Sequence, residues 1–337
     1  MRVNLDQVAK EAGVSKTTVS RALGNNGSVA AATKQKIYAA IDRLGYTKST
    51  LLKKTAAELI AVCVPASPEH WQLEVCRMVM HSLQREGLVV ATPFLTPDHI
   101  HSCIQAGARA VVTPTFSPLG LDIPTIRFAE ATVEKSVHSG ENRGNYPEET
   151  RTVPETIAAR MDLTGGLSLA FGHLKDLGHR RIGLVCNDSG VLAELLAERF
   201  FAEHPQRGLT ERLPEWVARV PKSYSGGIEA AAKIRDATCT AVIVQSALQL
   251  HGVLAAMRLR RLQVPRDLSV VGFGDSSTLR YAWSPATVLT MGTLGLSDAL
   301  LAGVRSALDL PGKRLPSVAP TFRMQLVVRK STAAVRS

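Results

Sequence analysis

The residues with the clearest chemical meaning lie near the amino terminus, where hydroxyl and cationic side chains share one helical face. From Ser15 onward, helical spacing places Lys16, Thr17, Ser20 and Arg21 on the outside of a short segment. An exposed helix amino terminus with a cation and hydroxyl groups suits base edges and phosphates in a DNA major groove. A plain three-helix bundle with a solvated face would show the same spacing, so shape alone leaves both interpretations open.

Three helices would be needed to hold that face outward, and the apolar residues predict them. Helical spacing predicts a first helix that ends at Gly13 and a second from Ser15 to about Leu23. A third helix is stopped by Gly45. A glycine turn between the first two helices predicts a helix-turn-helix. The apolar positions that define the three helices are Leu5, Val8, Ala9, Ala12, Val19, Ala22, Leu23, Ile37, Ala40, Ile41 and Leu44.

The charge distribution also points to a polyanionic partner. The chain has 337 residues with 40 Lys and Arg against 29 Asp and Glu, a net charge of +11. Residues 1–55 hold ten of the basic side chains and three of the acidic ones, so this first sixth carries +7 and the remainder only +4. A basic module on a nearly balanced body favours nucleic acid more strongly than the total does.

Composition and missing motifs exclude several other classes of protein. The five cysteines are scattered and form no CxxC, which is typical of buried thiols and not of a disulfide framework or a metal site. No signal-peptide core and no membrane-spanning apolar run are present, so we expect a cytoplasmic protein with no membrane partner. Phosphate-loop, nucleophile-elbow and metalloprotease motifs are absent. We therefore expect no enzyme, no catalytic residue, no metal and no cofactor.

The amino-terminal sequence LDQVAKEAGVSKTTVSRAL, followed by KIYAAIDRLGY, resembles the DNA-binding domain of LacI/GalR-type transcription regulators. The resemblance covers some forty residues, and its D-x-V-A-x-x-A-G-V-S-x-x-T-V-S-R core is complete. Ala30 stands where the family usually has a serine that caps the third helix, so we expect that helix to begin less firmly. The resemblance implies base contacts at Lys16, Thr17 and Arg21, and positions near phosphates at Ser15, Ser20 and Thr33.

Residues 47–58 form the linker in this resemblance, and they depart from the family pattern. The family's Pro-Asn and Ala-Arg pairs are missing from TKSTLLKKTAAE, and the segment is about three residues short. A hinge helix on DNA would use Leu51 or Leu52 as a wedge in the minor groove and Lys53 on a phosphate. A basic flexible tether is the alternative, and both interpretations stay open.

From Leu59 the period changes, and short apolar strands alternate with helical stretches in two sets. This pattern predicts an α/β core of two doubly wound parallel-sheet lobes, with ligands bound at the cleft between them. We expect a helix-turn-helix domain over 1–46, with a first lobe over about 59–160 and 289–320. The second lobe takes about 161–288 and 321–331. Helices are predicted near 69–86, 98–106, 163–177, 190–203, 225–236 and 247–262.

The resemblance continues through this core at lower density. GHLKDLGHRRIGLV, VPRDLSVVGFGD, SPATVLTM and LVVRKST are each similar to a family segment, and together with the amino-terminal module they span nearly the whole chain. The resemblance implies the architecture of periplasmic sugar-binding proteins. Residues 131–154 do not fit it, because they are polar and rich in turn-forming residues. We expect a surface insertion there with no part in the fold, and a partner-binding role is the alternative.

The polar residues that hold sugars in the family are mostly replaced. Ser246-Ala247 aligns with an Asn-Asp pair, or Gln245-Ser246 does after a one-residue shift. Gly274 replaces an aspartate and Leu196 an arginine. An unpaired buried polar group costs about 1–3 kcal/mol, so we expect no tight binding of an ordinary monosaccharide. The remaining candidates for effector contacts are Asp162, Gln245, Ser246 and Asp275, with His70 and Trp71 either stacking on a ring or packing in the core.

These patterns predict a transcription repressor that binds a near-palindromic double-stranded operator as a homodimer, with a small-molecule effector in the inter-lobe cleft. The alternative is a DNA-binding regulator whose core has lost small-molecule binding and answers a protein partner or nothing. A solute-binding protein with a vestigial amino-terminal module is disfavoured by the intact second helix.

Overall fold

The computed structural model describes residues 5–23, 30–44, 58–131, 155–203 and 213–335. The chain divides into two compact units, residues 1–57 and residues 58–337. Within the ranges given above, no helix is long and apolar enough to cross a membrane.

The amino-terminal unit contains three helices around a small apolar core. Val8, Val19 and Ile37, one from each helix, are completely buried. Gly13 has a φ of +64° in the turn between the first two helices, a left-handed conformation that favours glycine. The predicted helix-turn-helix is confirmed. The three helices are α1 (Leu5–Ala12), α2 (Lys16–Leu23) and α3 (Ala31–Leu44).

The larger unit alternates strands and helices along the chain. Its first half contains β1 (Leu59–Val62), α4 (His70–Arg85), β2 (Val89–Ala91), α5 (Pro97–Gln105), β3 (Ala108–Val112), β4 (Thr125–Glu130), β5 (Thr156–Asp162), α6 (Leu163–Asp176), β6 (Ile182–Asn187) and α7 (Val191–Glu203). Its second half contains β7 (Val217–Val220), α8 (Tyr224–Asp236), β8 (Ala241–Val244), α9 (Ala247–Leu259), β9 (Ser269–Phe273), α10 (Ser277–Arg280), β10 (Thr287–Thr290), α11 (Thr293–Ala307), β11 (Thr321–Arg323) and β12 (Gln325–Val327). All six predicted helices are present, each within about three residues of its expected ends.

The strands form two six-stranded sheets, one in each lobe. The order is β11-β5-β4-β3-β1-β2 in the first sheet and β12-β10-β9-β8-β6-β7 in the second. Neighbours run parallel throughout the first sheet, and in the second only β12 is antiparallel to its neighbour β10. Strands β8 and β9 are completely buried, as expected where helices cover both faces of a parallel sheet. The prediction of two doubly wound lobes is confirmed.

The chain passes between the lobes three times, after β5, after β10 and after β11. The last passage lies beyond Arg323, although the sequence places 321–331 in the second lobe. Thr321 and Arg323 pair with Arg160 and Asp162 of β5, and this parallel pairing adds β11 to the first sheet. The second lobe therefore regains the chain only at β12.

The connection between β4 and β5 changes what we expect of residues 131–154. The two strands are parallel neighbours, so the chain has to return from the carboxyl end of β4 to the amino end of β5. Ala131 still belongs to the sheet edge, because its backbone N–H donates to the carbonyl of Met161 at 3.0 Å. Residues 132–154 lie outside the described residues, but part of this segment must serve as the crossover.

The cysteines behave as buried thiols. Cys63, Cys76, Cys186 and Cys239 are buried, and Cys103 is half-buried. Burial raises the pKa of the Cys63 and Cys76 thiols to about 12, which leaves them protonated and unreactive at neutral pH. Among the described residues, no group of three or more His, Cys, Asp or Glu side chains could hold a metal ion.

Candidate DNA-binding surface and effector cleft

The amino terminus of α2 is exposed and its first turn is fixed by a serine cap. The Oγ of Ser15 accepts a hydrogen bond from the backbone N–H of Thr18 at 3.1 Å. The same oxygen lies 2.8 Å from the Thr17 hydroxyl. Lys16 and Thr17 are both exposed at this turn. The cap predicted at Ser15 is confirmed, and it presents a cation and hydroxyl groups to the surroundings.

The other residues predicted to contact DNA lie in different parts of the unit. Ser20 and Arg21 continue α2 beyond Thr17. Thr33 is half-buried in the first turn of α3, and its N–H donates to the Ala30 carbonyl at 3.0 Å. The described helix therefore begins directly after Ala30 without a serine cap. Leu51, Leu52 and Lys53 lie outside the described residues. The alternatives of a hinge helix and a flexible tether therefore stay predictions.

The first-lobe side of the cleft is aromatic at the start of α4. The Trp71 ring lies 6.2 Å from that of Phe128 and 6.5 Å from that of Phe116, measured between centroids. A Cβ placed on Gly274 of the second lobe would be 3.6 Å from Trp71 Cδ1, so the tryptophan reaches across to the facing lobe. His70, the first residue of α4, is exposed. Trp71 thus both packs in the core and lies at the boundary between the lobes.

Asp162 acts as a helix cap in the structure. Its Oδ1 accepts a hydrogen bond from the N–H of Gly165 at 2.8 Å, at the start of α6. A Cβ on Gly165 would lie 2.3 Å from the Asp162 carboxylate, so this close approach needs glycine. The carboxylate identified in the sequence as an effector contact is therefore already bonded within its own loop.

Asp275 is held by two arginines. Its Oδ2 accepts hydrogen bonds from Arg329 at 2.6 Å and from Arg280 at 2.9 Å. Burial would raise the pKa of this carboxyl, but the hydrogen bonds and charges of the two guanidinium groups hold the pKa below its usual range. The second oxygen, Oδ1, is buried without a hydrogen-bond partner in the described structure. One oxygen of Asp275 is therefore bonded inside the second lobe, and the other is left without a partner among the described residues.

Gln245 and Ser246 end β8 and are both buried. The Gln245 Oε1 accepts a hydrogen bond from the N–H of Asn187 at 2.8 Å, which ties the ends of β8 and β6 together. The Ser246 hydroxyl has no hydrogen-bond partner among the described residues.

The comparisons with known proteins agree with this geometry. The family model described as bacterial regulatory proteins of the lacI family matches residues 4–49, and a periplasmic binding protein-like domain matches residues 171–332. The HTH-type transcriptional regulator MalR of Streptomyces coelicolor is 28% identical over 349 residues, covering 99% of this chain and 98% of that protein. The amino-terminal domain of this chain is a LacI-family DNA-binding domain.

This chain is a DNA-binding transcription regulator. The HTH-type transcriptional repressor PurR of Haemophilus influenzae is also similar, at 25% identity over 87% of each chain. Two solved structures show the same fold. A transcriptional regulator CelR–cellobiose complex has a TM-score of 0.61 at 21% identity, covering 98% of this chain and 100% of that one. A lac repressor dimer bound to operator has a TM-score of 0.62 at 19% identity, covering 99% and 100%.

Leu196 occupies the position at which the family resemblance expects an arginine. Leu196 is completely buried in the core of the second lobe. The nearby Arg199 lies on the surface, where it donates to the Ser168 hydroxyl at 2.8 Å and pairs with Glu203 at 2.9 Å. Leu196 carries no charge, and the Arg199 guanidinium is already bonded to Ser168 and Glu203.

Sequence reasoning missed a pair of charged residues that joins the two lobes of this regulator. Glu69, just before α4, pairs with Lys222, just after β7, at 2.9 Å between Oε1 and Nζ. The second Glu69 oxygen accepts from the N–H of Ala247 at 3.1 Å. These partners are separated by more than 150 residues, so no local pattern could have connected them.

Proposed function

We propose that this protein is a homodimeric repressor that reads a near-palindromic operator through the amino terminus of α2. The observation that carries the proposal is the exposed first turn of α2, where Lys16 and Thr17 follow a serine cap. A helix that presents a cation and a hydroxyl at its amino terminus can bond base edges in the major groove. Arg21 supplies a further groove contact, and the phosphate contacts come from Ser15, Ser20, Thr33 and Lys53, with Leu51 or Leu52 as the minor-groove wedge.

A dimer is supported by exposed apolar side chains on the second lobe. Leu248, Tyr281 and Trp283 are exposed by 39%, 79% and 43%. The His251 Nε2 lies 3.1 Å from the Thr278 hydroxyl, which joins α9 to α10 and brings these side chains to one region. Exposed large apolar residues that cluster in this way are typical of protein–protein interfaces. A two-fold dimer would place two copies of α2 on the two halves of an operator.

Control by a ligand is supported by the arrangement of the two sheets. The carboxyl ends of the parallel strands are where ligands bind in folds of this type. Trp71 of one lobe and the Gly274 turn of the other meet there, together with Gln245, Ser246 and Asp275. A ligand that binds one arrangement of the lobes better than another would shift their equilibrium and so change operator affinity.

The test is a selection of random DNA duplexes by the full-length protein at a fixed salt concentration. We expect an enriched inverted repeat, because each subunit reads one half-site. Enrichment of a single, unrepeated half-site would contradict the dimer. Recovery of no enriched sequence would contradict specific DNA reading altogether.

A further inference from the structure

The Glu69 carboxylate crosses between the lobes and is bound as a free anion would be, by an ammonium group and a backbone N–H. We call the contact between Glu69, Lys222 and the N–H of Ala247 the clasp. One Glu69 oxygen lies 2.9 Å from Lys222 Nζ and the other accepts from Ala247 at 3.1 Å. Lys222 Nζ also donates to the carbonyl of Ser67 at 2.7 Å. Glu69 and Ser67 belong to the first lobe, and their partners belong to the second.

The donor side of the clasp, on the second lobe, includes a helix start that the second lobe does not cap by itself. The helices α6, α8 and α10 are each capped by the side chain just before them, namely Asp162, Ser223 and Ser276. Helix α9 lacks such a cap, as α5 and α11 do: Ser246 precedes it but makes no capping hydrogen bond. The hydroxyl of Ser246 is buried and has no partner in the described part of the chain.

Three features therefore converge on the start of α9. A helix of this length carries about half a positive charge at its amino terminus. The ammonium group of Lys222 adds a full positive charge, and the Ser246 hydroxyl adds an unused polar atom in the residue directly before the helix. The group that neutralises them comes from the other lobe. If the lobes separate, Lys222 and the Ala247 N–H are left without their carboxylate.

We propose that Glu69 is a tethered anion that keeps the cleft closed, and that a small molecule with a carboxylate or phosphate group opens the cleft by taking its place. The incoming anion binds Lys222 and the start of α9 on the second lobe. Its negative charge then repels Glu69 and prevents reclosure. This inference rests on the proposed control through the cleft, and it names the class of ligand that exerts that control.

The test uses inorganic phosphate as the probe and calorimetry on the full-length protein. Glu69→Ala removes the tethered competitor, whose effective concentration is in the millimolar range or above. We expect it to bind phosphate at least about tenfold more tightly than the wild type does, since a tethered competitor weakens apparent affinity. Adding Lys222→Ala to that variant removes the gain. The matched control is Glu74→Ala on the same helix, which should behave like the wild type.

Two outcomes would overturn the proposal. One is equal phosphate affinity in the wild type and in Glu69→Ala. The other is a gain that survives Lys222→Ala, because the anion would then bind elsewhere. Lys222→Ala alone gives a second measurement that does not depend on the Glu69 variant folding. It should raise the radius of gyration in small-angle X-ray scattering, and an unchanged radius would show that the clasp does not hold the lobes together.

Operator binding without phosphate separates this proposal from the proposed function. A wild-type protein that selects no DNA sequence fails as a repressor whatever the phosphate result. A protein that selects an operator but shows no effect of Glu69→Ala on phosphate binding retains the proposed function and loses only the clasp.

Discussion

The polar residues of α2 and those of the cleft differ in what they are bonded to. Lys16 and Thr17 are exposed, and the cap that orders them comes from a neighbouring residue, Ser15. Asp162, Gln245 and Asp275 instead have their strongest hydrogen bonds inside the core. The first region presents its chemistry outward, whereas the second has used most of its chemistry to hold the lobes in shape.

This difference teaches why one region was recognisable from the sequence and the other was not. The α2 surface depends on spacings of one to four residues, which any helix reproduces. The cleft depends on partners that only the tertiary fold brings together, such as Asp275 with Arg329 and Glu69 with Ala247. Four predictions test this contrast between the exposed surface of α2 and a cleft whose polar groups are largely bonded to one another.

The largest expected effect concerns neutral sugars in the cleft. Gly274, Ala247 and Leu196 offer no side-chain hydrogen bond, and each lost partner removes about 1 kcal/mol net, more where a charge took part. Three losses amount to roughly 3–6 kcal/mol, or about two to four decades of affinity. A micromolar sugar site would become millimolar or weaker.

Calorimetry with glucose, galactose, ribose and common disaccharides checks this prediction. We expect no binding at micromolar concentrations. Micromolar binding of any of them that also releases operator DNA would show that the cleft has kept a sugar site.

The next effect concerns the stability of the second lobe. Asp275→Ala leaves the guanidinium of Arg329, whose side chain is only 14% exposed, without its carboxylate. Breaking such a pair costs about 2–4 kcal/mol in the free energy of unfolding. Urea unfolding followed by circular dichroism measures it. The control is Asp236→Ala, because Asp236 pairs with Arg235 at an exposed surface, where the cost is below about 1 kcal/mol.

The pH dependence of unfolding gives an independent readout of the same residue. Because the pKa of Asp275 is lowered in the folded state, its stabilising contribution is complete above the ordinary carboxyl pKa. The contribution is lost as the pH falls through the lowered value. Asp275→Ala should therefore lose part of the acid dependence that the wild type shows. Equal acid dependence in both proteins would show that the arginines do not stabilise the carboxylate.

A smaller effect is expected on the α2 surface, and it should appear in specificity and not in stability. Thr17→Ala removes one base contact, worth about 1–3 kcal/mol of discrimination at that base pair. Lys53→Ala should weaken binding to all sequences alike and reduce its salt dependence, because a phosphate contact carries no sequence information. Selection from random duplexes followed by titration at two salt concentrations distinguishes the two variants. An unchanged base preference in Thr17→Ala would remove this residue from the reading surface.

Sequence patterns predicted the elements of the fold better than its long-range bonds. The helices α4 to α9 were predicted because their apolar residues recur with helical spacing or lie between clear strands. Strand β7 gives only a weak sequence signal, because Val217–Val220 is four residues long and alternates buried with half-buried positions. Helix α11 was not among the predicted helices. Helix α11 and the following strand β11 both belong to the first lobe. The cap that Asp162 makes on Gly165 is local, whereas the pairing of Asp275 with Arg329 and the clasp both required the assembled core.

The smallest expected effect comes from shortening the connection between β4 and β5. It tests whether hydrogen bonds within the first lobe also fix the end of this connection. Glu155 accepts from Leu119 N–H at 2.7 Å and Gly120 N–H at 3.0 Å, and it pairs with Arg127 at 2.6 Å. Burial would raise its pKa, but these hydrogen bonds lower it, so the carboxylate is a fixed end point of the connection. Residues 132–154 can then be shortened if Glu155 is kept.

The required length follows from the strand geometry. The chain must return along a strand of six residues, a distance of about 20 Å at 3.3 Å per residue. A Gly/Ser link of about twelve residues spans this distance with slack, and halving a loop changes the free energy of unfolding by only about 0.6 kcal/mol. We expect that replacing 132–154 with this link leaves the melting temperature within about 3 °C of the wild type. A link of about four residues cannot reach, since extended chain covers at most about 3.6 Å per residue, and should abolish soluble expression. Loss of folding with the longer link would show that 132–154 makes structural contacts of its own, whereas soluble protein with the shorter link would contradict the parallel pairing of β4 and β5.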